Sequence, residues 1–187
     1  MSRLTQEHEN KDIEWDNGLN DIRIDPKNKE KRIILVDADS IIHSSIHPLK
    51  SEERLPYTDK EIDTIIIPKI KERLYSLNEE INRGFSIQKM YCFVGGKGSY
   101  RRDIYPDYKA NRPEKLEIIT EVYRKCVEEL NFIRAEDFLE ADDMLYILGK
   151  EYGNMSILCF IDKDLRQIPG IVYDYNKNIW YTITPEE

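Results

Sequence analysis

Apolar residues follow two rhythms along this chain. Short β-branched runs bounded by acids or glycines predict buried strands: RIILVDAD from Arg32, KMYCFVGG over 89–96 and MSILCFID over 155–162. Between them the apolar positions recur every three or four residues. Ile62, Ile65, Ile66, Ile70, Leu74, Leu77 and Ile81 predict a helix from Asp59 to Gly84, capped at Thr58 or Asp59 and kinked or split at Pro68. Ile118, Ile119, Val122, Cys126, Val127 and Leu130 predict a second helix from Pro113 to Leu130, with the proline at its start. A third runs from Glu140 to Gly153, opening on acids and stopping at glycine. Phe132-Ile133 begins a short strand, and IVYDY and IWYTI around Asn176-Lys177-Asn178 predict a terminal strand or hairpin.

Strands alternating with helices imply an α/β fold with a parallel sheet, in which function gathers at the strand carboxyl ends. Residues 1–30 differ: their charge is mixed, apolar residues are few, and Asp25-Pro26 marks a turn. They read as a polar extension before a compact domain spanning 31–187. The length of 187 residues, 40% apolar and 34% charged, suits one such domain with a real core.

No apolar run approaches a membrane-spanning length, and the acidic, polar start has no secretory h-region, so a cytosolic protein is expected. Cys92, Cys126 and Cys159 are odd in number, widely spaced and set in apolar runs, which predicts reduced core residues. His43 and His47 have helical spacing but follow a strand and precede Pro48, so a loop or helix-start position is expected, not a metal site.

A net charge of −8 argues against bulk coating of nucleic acid. The charge is segregated, however. Residues 97–112 carry Lys97, Arg101, Arg102, Lys109 and Arg112 against two acids, whereas 136–143 carry five acids and no cation.

Acids stand at three strand ends or helix starts: Asp37 and Asp39, then Glu140, Asp142 and Asp143, then Asp162 and Asp164. A parallel sheet would bring all three groups to one edge, where seven carboxylates would repel one another unless protonated or neutralised. Oxygen ligands without His or Cys select hard ions, so Mg²⁺ or Mn²⁺ is expected, and two such ions suit in-line phosphoryl displacement. Each group taken alone has a plainer explanation, since acids in a first helical turn complement the helix dipole.

The basic stretch KGSYRRDIYPDYKANR interleaves Tyr100, Tyr105 and Tyr108 with its five cations. Aromatic faces that accept bases, beside cations that grip phosphates, suit a single-stranded end, although the tyrosines can equally cover the core edge. Gly95, Gly96 and Gly98 complete no phosphate-loop pattern and are expected to allow a sharp exit from the strand.

In order and spacing, ILVDADS, FVGGKGSYRRDIYPDYKANRP, EADDMLYILGKEYG and CFIDKDLRQIPG resemble the flap endonuclease and 5′-to-3′ exonuclease family, above all its bacteriophage and bacterial members. The resemblance implies a PIN-like three-layer α/β sandwich with a mostly parallel sheet, acting on DNA or RNA–DNA near 5′ ends, flaps or nicks in replication or recombination. It implies Asp37, Glu140, Asp142, Asp143, Asp162 and Asp164 as ligands of two divalent ions. It gives Tyr108, Lys109 and Arg112 a catalytic role at the scissile phosphate, and Lys97, Tyr100, Arg101, Arg102 and Tyr105 a role in holding nucleic acid.

Two departures stand out. The family's aspartate at the end of the second strand is replaced by Val94-Gly95-Gly96, which makes Asp39 a further candidate ligand. The chain also stops at Thr184-Pro185-Glu186-Glu187, where the resemblance implies that a helix-turn-helix-like DNA clamp would begin, so it reads as a piece of a longer protein, the product of a split gene, or a minimal form whose clamp a separate polypeptide supplies as partner. The competing reading is a catalytically weak or inactive PIN-like subunit that binds nucleic acid or a replication partner.

Overall fold

A computed structural model describes residues 31–46, 58–111 and 117–184. Its centre is a six-stranded sheet in the order β3-β2-β1-β4-β5-β6. The strands are β1 (Arg32–Asp37), β2 (Ile87–Val94), β3 (Ile133–Arg134), β4 (Ser156–Cys159), β5 (Gly170–Asp174) and β6 (Ile179–Ile183). The first five are parallel and β6 returns antiparallel to β5, so the predicted terminal hairpin is present.

The near-continuous apolar strands are buried on both faces because helices cover both. Ile34, Val36, Met90 and Cys92 point into one core with α1 (Ala38–Ile46), α3 (Ile67–Asn82) and α5 (Glu117–Glu129). Ile33, Leu35, Tyr91 and Phe93 point into the other with α6 (Ala141–Tyr152). This is the expected three-layer α/β sandwich. The three cysteines are free and buried in it. Helix α6 lies very close to the sheet: a Cβ on Gly149 would stand 3.1 Å from side-chain carbons of Leu158 and Ile168.

Several boundaries differ from the pattern-based expectation. The run through Asp39 stops as a strand at Asp37, and α1 follows at once, carrying His43 in mid-helix. The polar residues of that helix masked its period. The helix beginning near Asp59 opens with a capping box between Thr58 and Glu61 in α2 (Asp59–Glu61). It then widens into a π turn at Ile62–Ile66 before α3, whose first turn takes Pro68. The helical path is not split at Pro68: Asp59 to Asn82 is contiguous, and the π turn just before the proline is where the regular hydrogen-bond ladder is interrupted. Strand β4 ends at Cys159, earlier than expected, because Asp162 caps a 3₁₀ turn over Lys163–Gln167. The short helix α4 (Arg101–Ile104) sits in the basic stretch. The N-terminal extension, His47, Arg112 and Pro113 lie outside the described residues.

Among the described residues no helix is long and apolar enough to cross a membrane.

Candidate active site

The crossovers on the two sides of β1 run over opposite faces of the sheet, which makes the carboxyl end of β1 the topological switch point, the place where such sheets present ligand sites. Asp37 is the last residue of β1 and is 5% exposed. Its Oδ1 accepts the Asp39 N–H at 3.1 Å, and its Oδ2 accepts the Ser40 hydroxyl at 2.9 Å. Tyr175, just past β5, donates its hydroxyl to the Asp37 carbonyl at 3.3 Å. Burial, with the charges of Asp39 and Asp142 alongside, pushes the Asp37 carboxyl up to about 7.

Asp39 turns toward β2. Its Oδ1 accepts the Gly95 N–H at 3.2 Å, and its Oδ2 would lie 3.3 Å from a Cβ at that glycine. A carboxylate from α1 therefore stands at the end of β2, where the chain itself supplies Val94-Gly95-Gly96.

Glu140 is the N-cap of α6 and forms a capping box with Asp143, whose Oδ2 accepts the Glu140 N–H at 2.8 Å. Two cations from the basic stretch meet this pair. Lys109 Nζ donates to Glu140 Oε1 and Oε2 at 2.8 and 2.7 Å, and the Tyr108 hydroxyl donates to Oε2 at 3.1 Å. Arg101 forks onto both Asp143 oxygens at 2.5 and 2.9 Å and lies 3.4 Å from Glu140 Oε2. Burial disfavours the charged forms of Glu140 and Lys109, but their mutual hydrogen bonds and charges outweigh it. The carboxyl is held below its usual range and the lysine above its own. The same balance holds the Arg101 guanidinium above its ordinary value. Lys109 reaches its position at φ 56°, the left-handed region that a lysine seldom occupies.

Asp142, one position before Asp143, has no such cation on its own carboxylate; burial and the Glu140 charge push it up. Asp162 and Asp164 are exposed after β4, where Asp162 Oδ1 accepts the Asp164 N–H at 3.0 Å. Among the described residues no group of three or more His, Cys, Asp or Glu side chains is arranged to hold a metal ion. The six expected ligands are thus in three different states: Asp37 and Asp142 crowd together beside Asp39, Glu140 and Asp143 are engaged by Lys109 and Arg101, and Asp162 and Asp164 form a separate exposed turn. The donor chemistry of the first group still suits a hard cation, because all its donors are oxygen and burial with neighbouring negative charge raises the carboxyls of Asp37 and Asp142.

The remaining cations and tyrosines line the approach. The Arg101 guanidinium lies 4.9 Å from the Tyr100 ring centroid and 5.8 Å from that of Tyr108. Lys97, Arg102 and Tyr105 are exposed, whereas Arg112 is outside the described residues. Sequence patterns gave no hint of Ser40 or Tyr175: a serine and a tyrosine next to strand ends carry no spacing signal, and only the pairing of β4 with β1 and β5 brings Tyr175 to Asp37.

A mostly parallel sheet with Asp37 at the end of a central strand, beside a helix whose first acids meet a lysine and an arginine from a tyrosine-bearing connection, is the arrangement of a PIN-like fold. The chain belongs to the 5′-3′ exonuclease family: residues 32–186 match the model of its N-terminal resolvase-like domain. Two solved structures of T5 proteins agree on the fold. The T5 D15 protein co-crystallised with metal ions matches with a TM-score of 0.59 at 16% identity over 81% of this chain and 57% of that one. A lysine-to-alanine mutant of the T5 5′-exonuclease matches with a TM-score of 0.52 at 14% identity, over 81% of this chain and 53% of that one. The catalytic core of Rad2 in complex with DNA substrate has a TM-score of 0.48 at 12% identity, over 83% of this chain and 49% of that one. This chain therefore spans a little over half the length of the T5 proteins it resembles.

Proposed function

We propose that this protein is a divalent-metal-dependent phosphodiesterase that cleaves DNA, or RNA–DNA, near 5′ ends or at 5′ flaps. The observation that carries this reading is the meeting of Lys109 and Arg101 with Glu140 and Asp143 beside buried Asp37 and half-buried Asp142. Cations that would draw in a phosphate adjoin carboxylates that would draw in a metal.

Asp37, Asp142 and Asp39 would hold Mg²⁺ or Mn²⁺, with Glu140, Asp143, Asp162 and Asp164 as the remaining oxygen donors of a two-ion site. When bound, such ions act as Lewis acids toward phosphate and water. The chain's own groups do the rest. Lys109 carries a fixed charge able to offset negative charge developing on the phosphoryl oxygens, and it needs to transfer no proton to do so. Tyr108 orients Glu140 in this state and can turn its hydroxyl to a phosphate oxygen. Arg101 offers the planar fork that suits phosphate. Arg112, Lys97, Arg102, Tyr100 and Tyr105 would hold the strand leading to the site. For the ions to engage Glu140, Lys109 must exchange that carboxylate for the substrate phosphate, so substrate entry and ligand release are coupled.

The engagement of Glu140 and Asp143 by cations also supports a second reading, a binding subunit with little or no cleavage. A DNA clamp from a separate polypeptide would fit either one. The test is incubation with 5′-flap and nicked duplexes in Mg²⁺, Mn²⁺ or chelator, beside Asp142→Ala and Asp162→Ala proteins. Metal-dependent cleavage lost in the variants supports the enzyme. Equal cleavage by parent and variants rejects it, and tight binding without cleavage selects the subunit.

A further inference from the structure

Phe138 takes no part in the chemistry above, yet its conformation is costly. It is the third residue of a turn closed by the Leu139 N–H to the Glu136 carbonyl at 3.0 Å, and its φ is 72°. Asp137 before it is not in the positive-φ region, so this is the turn type whose third position normally takes glycine. A phenylalanine there strains the backbone in a way glycine would not.

Burial does not repay that strain, because Phe138 is 57% exposed. Nor can the turn relax by swinging away. The Phe138 N–H donates to the Lys97 carbonyl at 2.8 Å, and the Phe138 carbonyl accepts the Tyr100 N–H at 2.9 Å. Gly98 passes beneath the ring, where a Cβ would stand 3.3 Å from Phe138 Cδ1. Glycine at 98 thus leaves room for the ring. The result is an apolar face held rigidly in solvent, two residues before Glu140 and bracketed by the backbone of Lys97 and Tyr100.

We propose that Phe138 is a nucleobase-stacking residue, on which an unpaired base of the substrate strand lies while the neighbouring cations hold its phosphates. Every base presents a flat π face, so a fixed aromatic surface beside a basic stretch binds single strands without reading their sequence. Pre-ordering the ring spares the ordering cost on binding, which accounts for strain retained in the free protein. The inference rests on the nuclease reading in taking the strand at the site as its ligand.

The test uses a 5′-flap duplex carrying 2-aminopurine at the unpaired bases beside the junction, with Phe138→Gly and Phe138→Trp proteins. In chelator, the parent should quench the 2-aminopurine fluorescence. Phe138→Gly should lose the quench and bind roughly 5- to 150-fold more weakly, the range expected for one lost stack. In metal, its loss should fall on KM more than on kcat. Its thermal midpoint should equal or exceed that of the parent, because glycine relieves the turn, whereas a ring needed only for packing would leave it lower. Phe138→Trp should retain quench and affinity. Unchanged affinity in Phe138→Gly, or a loss accompanied by a lowered midpoint, would overturn stacking. A parent that quenches but does not cleave would support stacking and reject the nuclease reading; a parent that binds no oligonucleotide would overturn both.

Discussion

Lys109 Nζ stands 2.8 and 2.7 Å from the two carboxylate oxygens of Glu140, so one cation spans both donor atoms that a metal would use. The lysine is held there at φ 56°, and its partner caps the helix bearing Asp142 and Asp143. Replacing Lys109 by alanine should lower single-turnover cleavage by about 10²- to 10³-fold, the usual scale for losing one charge-stabilising contact at a reacting centre. Divalent-ion affinity, read by calorimetry, should fall far less. An unchanged single-turnover rate would remove Lys109 from the chemistry.

Burial and the neighbouring charge of Asp39 push the Asp37 carboxyl up to about 7 in the folded chain, from an ordinary value of 3.8. Between these values the native state keeps a proton that the unfolded state has released. Its contribution to stability is therefore complete below pH ~4 and is lost as pH rises through about 7. In chelator, urea unfolding at pH 5 and pH 8 should differ by ~2–3 kcal/mol from this residue, with the lower pH more stable. Asp37→Asn should flatten that part of the slope. Equal slopes in parent and variant would show that Asp37 is not perturbed.

A divalent ion bound beside Asp37 and Asp142 should remove the same penalty. Mg²⁺ at about 100 times its Kd should add ~2.7 kcal/mol to folding stability at pH 8, visible as a raised thermal midpoint. Asp142→Asn should abolish most of that increment. A midpoint indifferent to Mg²⁺ in the parent would argue for the non-catalytic subunit.

Gly96 has a packing role that its neighbours do not share. A Cβ there would stand 2.1 Å from the Glu136 carbonyl oxygen, a backbone atom that cannot move aside cheaply. Gly96→Ala should cost at least ~2–3 kcal/mol in urea unfolding and loosen the turn at 136–139 from the basic stretch. Gly84→Ala, with nothing within 4 Å of the added methyl, is the control and should change stability by less than ~1 kcal/mol.

The layered architecture was legible because its strands are unbroken apolar runs and α3, α5 and α6 keep helical spacing. Helix α1 was not, since ADSIIHSSI mixes polar residues into the period and its first carboxylates look like the tail of a strand. The basic and acidic groups were legible from charge segregation, and the sheet order brings most of them to one end. Their pairing was not. Nothing in the spacing of Lys109 and Glu140 announces a contact across 31 residues, and the split of the acids into engaged, crowded and separate groups depends on which cation reaches which oxygen. Phe138 escaped notice for a related reason: a turn's demand for positive φ is visible only once the backbone is known.

Gly149 illustrates how far from the chemistry its placement is decided. It lies about two helical turns from Asp142, some ~10 Å along α6 at the usual rise. Because any side chain there would press on Leu158 and Ile168, those side chains would have to give by a few tenths of an ångström, and a group too large for that would push the helix away from β4. The carboxylates at its tip would then swing through the largest arc, and a lesion in an apolar contact would be read out as a defect in charge placement.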